Sequence, residues 1–420
     1  MKTFEDTFPI ISKRDKVQLP ENLYGLGERI GGANIFKRGK VTAQELVDAG
    51  NVVVVKPGQD IQAAIDKVNL YGGGKVILGS GTHFPLKSLV VPSHIIFEGE
   101  GSDNSIIDFN STQSHFSITK TPETAAGTIS VNNNSTAVAG VGTTFTDATA
   151  GDYILIRGIW YEIASITDDT NLVLSVPFAD VDISATGYTI AAPKQDIAFI
   201  RMTVQNSAAT TGSFNISIGN EFLFEDVTII SGVRAMQLST VSNITIRECE
   251  FIAQTTDGLK FTDCHYVEVN ASGIIDTLAN HGLLLSNITN SVFSKMFILN
   301  PAGDGVNLTS GNDVAFVNSS FVSAGGQGIE LVATNNRILV SGNKVHSNAS
   351  DGIKMTASSD DCIVSNNSIK DNGAYGSNIA AATCDNNLII GNNFSGNVTA
   401  ASNDSGTGTL IRSNIGLADN

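Results

Sequence analysis

The amino-acid sequence predicts an all-β fold, a parallel β-helix in which each coil of about 23 to 24 residues adds one rung to three sheets. A short phrase, an apolar-x-apolar strand led in by glycine, recurs between Thr255 and Ile379. Its glycines stand at regular steps, at positions 258, 282, 305, 328, 352 and 376. Nothing in this stretch has the i, i+3, i+4, i+7 spacing of an amphipathic helix, which excludes the helical and leucine-rich solenoids of similar repeat length.

Each repeat contains three short strands separated by Gly, Asn, Asp and Ser turns. After the glycine-led strand comes a second apolar pair, as in Val267 and Val269, and then a third apolar position. We predict that the third strands place these residues in the core: Ile275, Ile298, Phe321, Val345 and Ile369. About ten such coils, stacked about 4.8 Å apart, bring residues two dozen positions apart in sequence into vertical contact.

Residues 1–50 mix charged residues with Pro9, Pro20 and several glycines, and they show no sustained period. We predict an N-terminal arm here that serves as an attachment segment. The sequence contains no apolar run of the length that a signal peptide or a membrane span requires. We therefore expect a protein without a signal peptide, a transmembrane segment or membrane insertion.

Residues 51–120 predict the start of the β-helix, with a strand at 52–55 and an amphipathic helix at 60–68. The apolar face of this helix consists of Ile61, Ala64, Ile65 and Val68. An uncovered solenoid end exposes core residues and strand edges. We therefore expect the helix to cap the N-terminal end of the solenoid.

This opening resembles that of the pectate-lyase-like (pectin lyase fold) superfamily. The likeness covers residues 50–120 as a motif, a capping helix followed by short strands and glycine turns, and residues 196–415 as a repeat. It implies a right-handed, three-sheet β-helix. It does not imply one activity, because this fold supports many chemistries.

The 23 to 24-residue period is absent from residues 121–195. Short strands follow one another closely there, at 127–131, 143–145, 152–156, 160–164, 172–174 and 188–190. They predict a small antiparallel β module inserted into one coil, and its phrasing, with Gly151-Asp152 and Trp160-Tyr161-Glu162, resembles β modules of tailed-phage virion proteins. The period resumes at Asp196, so residues 196–420 form the main β-helix.

The composition limits the partners that the surface can attract. The net charge is −16, which argues against nucleic acid as a partner and disfavours unassisted binding of polyanions. Aromatic residues make up only 7% of the chain, and the many asparagines in the repeats predict asparagine ladders beside a narrow core.

Residues at equivalent positions of successive coils stack in columns, and two columns carry polar groups. The residues before the glycines form the first column: Asp257, His281, Asp304, Gln327, Asp351 and Tyr375. The outward residues of the following strands form the second: Lys260, Leu284, Asn307, Glu330, Lys354 and Asn378. Together they predict a polar ribbon that binds a saccharide, with Lys260, Asn307, Glu330, Lys354, Asp351 and Tyr375 as substrate-binding residues.

Within the ribbon, Asp257, His281 and Asp304 are the candidate catalytic residues. The two aspartates lie two coils apart, roughly 9–10 Å, at the wide end of the separation that inverting glycosidases use. The phrases around Asp257 and His281 resemble the Asn-Thr-Asp and His-Gly motifs of polygalacturonases, although the Asp-Asp pair and the Arg-x-Lys motif of that family are absent. The alternative is structural: Asp-Gly is a turn signature in which Asp bonds its own backbone two residues on and Gly supplies a positive φ.

The sequence predicts no metal site and no cofactor, with Ca²⁺ left open. A lyase would use Lys or Arg as a base, often with Ca²⁺ to neutralise a uronate carboxylate. Two acidic pairs, Asp168-Asp169 and Asp360-Asp361, offer the hard oxygen ligands that Ca²⁺ prefers, but neither has the spacing of a defined Ca²⁺ loop.

Three functions remain open on the sequence. The first is a tail-fibre or tailspike-like phage virion protein that binds host surface polysaccharide, with or without cleaving it, and that assembles as a homotrimer with other virion proteins. The second is an extracellular polysaccharide lyase or glycoside hydrolase of the pectate-lyase-like superfamily. The third is a purely structural β-helix subunit.

Overall fold

A computed structural model of the protein describes residues 51–110, 114–206 and 212–416. Within these ranges the chain forms a parallel β-helix that carries one small antiparallel sheet, which confirms the predicted fold class. The predicted N-terminal arm, residues 1–50, lies outside the described residues. In the described part, no helix combines the length and the apolar character that crossing a membrane requires.

The β-helix begins with short strands and one helix. Helix α1, Ile61–Asn69, starts after Asp60, whose carboxylate accepts a hydrogen bond from the backbone N–H of Ala63 at 3.2 Å. The buried face of α1 packs against the first coils at the N-terminal end of the core. The strands of this part are Val52–Val55, Gly74–Leu78, Gly81–His83, Leu89–Val90, Ile95–Gly99, Ser105–Asp108 and Phe116–Ile118.

In the next coils, long strands bend around the corners from one sheet into the next. The long strands are Lys194–Gln205, Phe214–Ile230, Met236–Arg247, Leu259–Asn270, Leu283–Ser294 and Val306–Val317. Short strands complete these coils, at Glu250–Ile252, Gly273–Ile275, Phe297–Leu299 and Ser320–Val322. We call sheet 1 the stack that contains residues 259–262, sheet 2 the stack that contains residues 267–270, and sheet 3 the stack that contains Gly273–Ile275.

The last coils contain only short strands. These are Ile329–Leu331, Asn335–Asn336, Leu339–Ser341, Lys344–His346, Ile353–Met355, Ser359–Asp360, Ile363–Ser365, Ser368–Lys370, Tyr375–Ile379, Leu388–Ile390, Asn393–Ser395, Ala400–Asp404 and Leu410–Arg412. Among the described residues, thirteen rungs stack in sheet 2, whereas the sequence predicts about ten coils. The prediction is too low because the early coils lack the glycine-led phrase. The rungs are Val53, Val76, Phe97, Phe199, Phe224, Ile246, Val269, Phe293, Phe316, Val340, Val364, Ile389 and Ile411.

Aromatic rings fill the core on both sides of the inserted module. In sheet 2, the rings of Phe97, Phe199 and Phe224 stack with centroids 5.4 and 5.2 Å apart. In sheet 1, Phe116 and Phe214 stack at 4.6 Å. All five side chains are fully buried. In-register parallel pairing produces these columns, because it places each ring directly above the equivalent ring of the previous coil.

The sequence assigned one core residue of the third strands wrongly. Ile274, rather than Ile275, is buried, and it pairs with Ile298 of the next coil. The two isoleucines precede Ile298 by 24 and 23 residues, so both fit the period, and only the pairing decides between them. The other predicted core positions of the third strands, Ile298, Phe321, Val345 and Ile369, are buried as expected.

Buried and half-buried asparagines form ladders at the corners of the C-terminal coils, as the composition predicts. One ladder contains Asn343, Asn367, Asn392 and Asn414, and another contains Asn348, Asn372 and Asn397. In both ladders the side-chain oxygen accepts the backbone N–H of the asparagine one coil earlier. The side-chain nitrogen donates to a backbone carbonyl, so corners that lack strand pairing keep their buried polar groups satisfied.

The inserted module is an antiparallel sheet with its own core. In sheet order its seven strands are Ile183–Thr186, Thr128–Val131, Ala137–Val141, Asn171–Leu174, Ile159–Asp168, Tyr153–Ile156 and Thr189–Ala191. The predicted strand at 143–145 is wrong, because Phe145–Asp147 forms a 3₁₀ turn that buries the Phe145 ring. The chain leaves the β-helix after Phe116–Ile118 in sheet 1 and returns through Lys194–Gln205, so the module sits at the corner between sheets 1 and 2.

Candidate functional site

The predicted ribbon begins with aspartates that link successive coils. Asp304 Oδ1 accepts the backbone N–H of Gln327 at 2.8 Å, and Asp351 Oδ1 accepts that of Tyr375 at 2.9 Å. Asp257 Oδ1 accepts the N–H of His281 at 3.4 Å in the same way. These aspartates therefore do not bond their own backbone two residues on, as a local turn would. Each one binds the residue directly above it in the column.

The glycines that mark the period are required for close approach of neighbouring coils. A Cβ at Gly305 would lie 2.5 Å from the carbonyl oxygen of Gly328, and a Cβ at Gly328 would lie 2.6 Å from that of Gly352. Their φ angles are not left-handed, so the expectation of a positive φ at these positions is wrong. The column packs tightly because no side chain intervenes.

Charges alternate in sign along the first part of the column. Arg234 precedes Asp257 by one coil, and its Nε lies 2.8 Å from Asp257 Oδ2. His281 follows Asp257, and Asp304 follows His281. Since stacked residues are close neighbours, alternating signs turn a repulsive column into an attractive one. The Asp257 carboxylate is fully buried within this arrangement.

His281 and Asp304 form the partly exposed end of this charge column. His281 Nδ1 lies 3.2 Å from Asp304 Oδ2 and 3.0 Å from the backbone nitrogen of Asp304. Burial opposes a charge on His281, but the hydrogen bond to Asp304 and the charges of Asp304, Asp257 and Glu330 raise the pKa of the imidazole. With this raised pKa, Nδ1 is protonated more readily and then donates to the carboxylate rather than accepting from the amide.

The Asp304 carboxylate is held in its charged form. Burial favours the neutral acid, but hydrogen bonds from His281, from Asn307 Nδ2 at 3.0 Å and from the backbone of Gln327 keep the pKa of Asp304 below its usual value. Both of its oxygens are occupied by protein donors. As arranged, Asp304 acts as an acceptor that positions His281 and Asn307.

The His281 arrangement predicts a pH-dependent contribution to stability. Because the pKa of His281 is raised in the folded protein, its contribution is complete below the ordinary imidazole value of 6.5 and is lost as the pH rises through the folded value. We expect the difference in melting temperature between wild type and His281→Gln to be larger about one unit below that pH than about two units above it. A difference that is constant with pH would contradict this assignment.

The predicted substrate-binding residues lie side by side on the outer face of sheet 1. Lys260, Asn307, Glu330 and Lys354 are half-buried, as is Tyr375 at the edge of the strand. Asn307 Nδ2 donates to Glu330 Oε2 at 3.2 Å, and Lys354 Nζ lies 3.0 Å from Glu330 Oε1. From Asn307 onward the ribbon is therefore a continuous polar surface, whereas Leu284 separates Lys260 from Asn307.

Asp351 differs from the other predicted ligand residues because it is buried. Its Oδ2 accepts a hydrogen bond from Asn378 Nδ2 at 2.9 Å, and Asn378 Oδ1 accepts one from Asn403 Nδ2 at 2.9 Å. Asp351 thus supports the ribbon from beneath, and Asn378 and Asn403 extend the ribbon towards the C terminus. The roles of all these residues in binding and catalysis stay predictions.

Three of the four carboxylates considered for Ca²⁺, those of Asp168, Asp169 and Asp360, accept hydrogen bonds from protein groups. The backbone and side chain of Thr170, with the side chain of Asn171, lower the pKa of Asp168, and Asp169 accepts from the backbone of Thr146. Asp360 accepts the backbone N–H of Asp385 at 2.8 Å. Among the described residues, no three His, Cys, Asp or Glu side chains are grouped to hold a metal ion.

A second polar surface, which the sequence did not reveal, lies where the inserted module meets the β-helix. It is a cleft of about 730 Å³ between module residues such as Arg157 and Asp180 and the corner joining sheets 1 and 2. Tyr266 lines the cleft and is 38% exposed. The sequence offers one weak indication of this cleft: at this corner Tyr266 occupies the position that Asn243 and Asn290 occupy in the adjacent coils.

Comparison with known families places most of the main β-helix in one group. The family described as "Right handed beta helix region" matches residues 190–345 and 288–415, which together span more than half of the chain. No curated protein matches the sequence.

Solved structures with a similar fold include enzymes and phage proteins. The A-module of the Azotobacter vinelandii mannuronan C-5 epimerase AlgE6 has 15% identity and a TM-score of 0.50, over 84% of this chain and 96% of that one. The tailspike of Pseudomonas phage phi297 has 11% identity and a TM-score of 0.46, over 83% and 72%. The tailspike of Acinetobacter baumannii bacteriophage AP22, solved with capsular saccharide, has 10% identity and a TM-score of 0.39, over 89% of this chain and 72% of that one. At such identities the likeness shows the fold alone.

Proposed function

The chain belongs to the right-handed β-helix family, and on that premise we propose that it binds a polysaccharide along the outer face of sheet 1. The observation that carries this proposal is the ribbon of half-buried polar side chains, in register from coil to coil and interrupted only at Leu284. A polymer of repeating sugar units suits such a surface, because similar hydrogen-bonding groups recur about every 4.8 Å along the stack. The ligand-contacting residues in this proposal are Gln237, Lys260, Asn307, Glu330, Lys354, Tyr375, Asn378 and Asn403.

The charges of the ribbon favour an uncharged or zwitterionic polysaccharide. Lys354 is neutralised by Glu330, and Arg234 is neutralised by the buried Asp257. The chain as a whole carries a net charge of −16, which repels polyanions. Binding therefore depends on hydrogen bonds from amides, hydroxyls, paired charges and the ammonium group of Lys260.

Binding without cleavage suits the geometry better than hydrolysis. A hydrolase needs one carboxyl group that donates a proton and one that activates water or attacks the sugar. Asp257 is fully buried against Arg234, and both Asp304 oxygens accept protein hydrogen bonds. A lyase or glycoside hydrolase is the second candidate, because His281 is partly exposed beside Asp304 and has a raised pKa.

We propose further that the protein acts as a tail-fibre or tailspike-like virion protein, with the ribbon facing host surface polysaccharide. The support for this context lies in the sequence: the inserted module resembles β modules of tailed-phage virion proteins, and residues 1–50 have the composition of an attachment arm. Assembly as a homotrimer belongs to the same proposal. Measuring the mass of the full chain in solution tests it, and a monomer would contradict the trimer.

The binding proposal is tested on an array of host-surface and other bacterial glycans with the full chain. We expect the double variant Lys260→Ser/Lys354→Ser to weaken the best interaction about tenfold, which corresponds to about 1.4 kcal/mol. The matched control is Lys295→Ser/Lys344→Ser, which removes two exposed lysines outside the ribbon and should bind like wild type.

Three other results would redirect the proposal. Equal losses in both double variants would mean that net charge, not the ribbon, controls binding. Release of reducing or unsaturated sugars that disappears in His281→Ala and Asp304→Ala would favour the enzyme. Failure to bind any glycan would leave a structural β-helix subunit.

A further inference from the structure

The cleft beside the inserted module is a second concave surface, separate from the ribbon on sheet 1. Its volume of about 730 Å³ lies within the range of about 300–1,000 Å³ that is usual for small-ligand sites. One wall comes from the module and the other from the corner positions of several successive coils. The proposed function on sheet 1 makes no use of it.

The two walls are held in fixed positions. Trp160 Nε1 donates to the carbonyl oxygen of Gly219 at 3.2 Å, and Ser242 Oγ donates to that of Gly158 at 2.7 Å. Gly158 lies so close to His265 that a Cβ on it would come within 2.2 Å of the imidazole Cγ. The cleft is therefore preorganised, and a ligand that enters it does not have to order its walls.

Tyr266 stands in the cleft in a backbone conformation that tyrosine rarely adopts. Its φ is 54°, and the equivalent residues of the coils on either side, Glu221, Asn243, Asn290, Asp313 and Arg337, have similar φ angles. Asn and Asp tolerate this left-handed conformation, whereas a bulky side chain does so at a conformational cost. The ring of Tyr266, held at this conformational cost and 38% exposed in the cleft, is therefore placed to contact a ligand.

The rest of the lining is mainly polar, with apolar module residues such as Ile159 and Val181, and it offers no free cation to an anionic ligand. Arg337 pairs with Asp313 at 2.6 Å, and Arg157 pairs with Asp180 at 3.2 Å. Asp263 adds a further negative charge to the cleft. What remains available to a ligand is mainly amides and hydroxyls around an aromatic ring.

We propose that this cleft binds an uncharged oligosaccharide, with the ring of Tyr266 stacking against the apolar face of one sugar. An exposed aromatic ring covers the C–H face of a pyranose, and polar groups of the lining such as the amide of Asn290 bond its hydroxyl groups. The site is independent of sheet 1, so it persists whether or not the ribbon binds polysaccharide.

The test uses the full chain and malto-, cello-, xylo- and chito-oligosaccharides as probes. Trp160 is the only tryptophan and packs with Leu155, which lines the cleft, so its fluorescence reports occupancy. We expect at least one probe to give a saturable change in the millimolar range or tighter. Tyr266→Asn should weaken that probe at least tenfold, and Tyr266→Phe, which keeps the ring, should bind within a factor of about two.

Stability measurements separate ligand binding from packing. Tyr266→Asn should melt at or above the wild-type temperature, because asparagine relieves the left-handed backbone. A saturable response that Tyr266→Asn leaves unchanged would overturn the proposal, as would the absence of a response to every probe. Loss of binding together with a clear loss of melting temperature would assign Tyr266 to packing. The variant Lys260→Ser/Lys354→Ser should leave this response intact, which separates the cleft from the ribbon.

Discussion

Asn367→Ala is expected to lower the free energy of unfolding by about 3–5 kcal/mol, because it leaves several buried polar groups without partners. Asn367 Oδ1 accepts the backbone N–H of Asn343 at 2.8 Å and its side-chain amide at 3.1 Å. Asn367 Nδ2 donates to the carbonyl oxygen of Val340 at 2.8 Å. All three partners lie inside the β-helix, where water cannot easily replace the lost side chain.

Urea unfolding followed by circular dichroism measures this loss. The control is Asn280→Ala, at an exposed asparagine of the same β-helix, which should change stability by less than about 0.5 kcal/mol. Amide hydrogen exchange locates the loss along the chain. Because each coil contacts only its neighbours, protection of backbone amides should fall most in the coils around Asn343 and Asn392. A loss below about 1 kcal/mol would show that the ladder is dispensable or hydrated.

The stacking itself could be predicted from the sequence because the solenoid repeats one set of constraints. A glycine-led phrase with a constant step places Asp257, His281 and Asp304 in one column, and the structure brings them together. The period alone could not choose between Ile274 and Ile275, since hydrogen-bond register decides which faces inward.

The chemistry of the column was harder to predict, because it depends on a partner that the repeat phrase did not mark. Arg234 belongs to the same column as Asp257, but the next residue is Ala235 rather than glycine, so the glycine-led phrase does not mark this coil. The reason for the glycines could not be predicted either. A glycine that allows close contact between coils cannot be distinguished in the sequence from a glycine that supplies a positive φ in a turn.

The cleft could not be predicted from the sequence for a different reason. Its walls come from the module and from corner residues as far apart as Arg157 and Arg337. Only the docking of the module brings them together, through contacts such as Trp160 with Gly219. The repeat period identifies the residues of one column and contains no information on which surface an inserted module covers.

Arg234→Met should destabilise the protein by about 3 kcal/mol, because it leaves the Asp257 carboxylate buried without its counter-ion. Methionine keeps the apolar stem, so the loss reports mainly the missing charge. This effect is larger than the roughly 1 kcal/mol that a single turn hydrogen bond at Asp257 would contribute. The comparison therefore separates an ion-paired aspartate from a simple turn residue.

The double variant Arg234→Met/Asp257→Asn supplies the decisive comparison. Asparagine removes the unpaired charge and keeps an oxygen that can accept the N–H of His281, so the double variant should recover most of the lost stability. Recovery of stability in the double variant would mean that the role of the Asp257 charge is to pair with Arg234. The column would then be a structural series of alternating charges. If Arg234→Met instead unfolds like wild type, Asp257 does not depend on its partner. A catalytic role for that carboxylate then becomes the better explanation of why a charge is buried there.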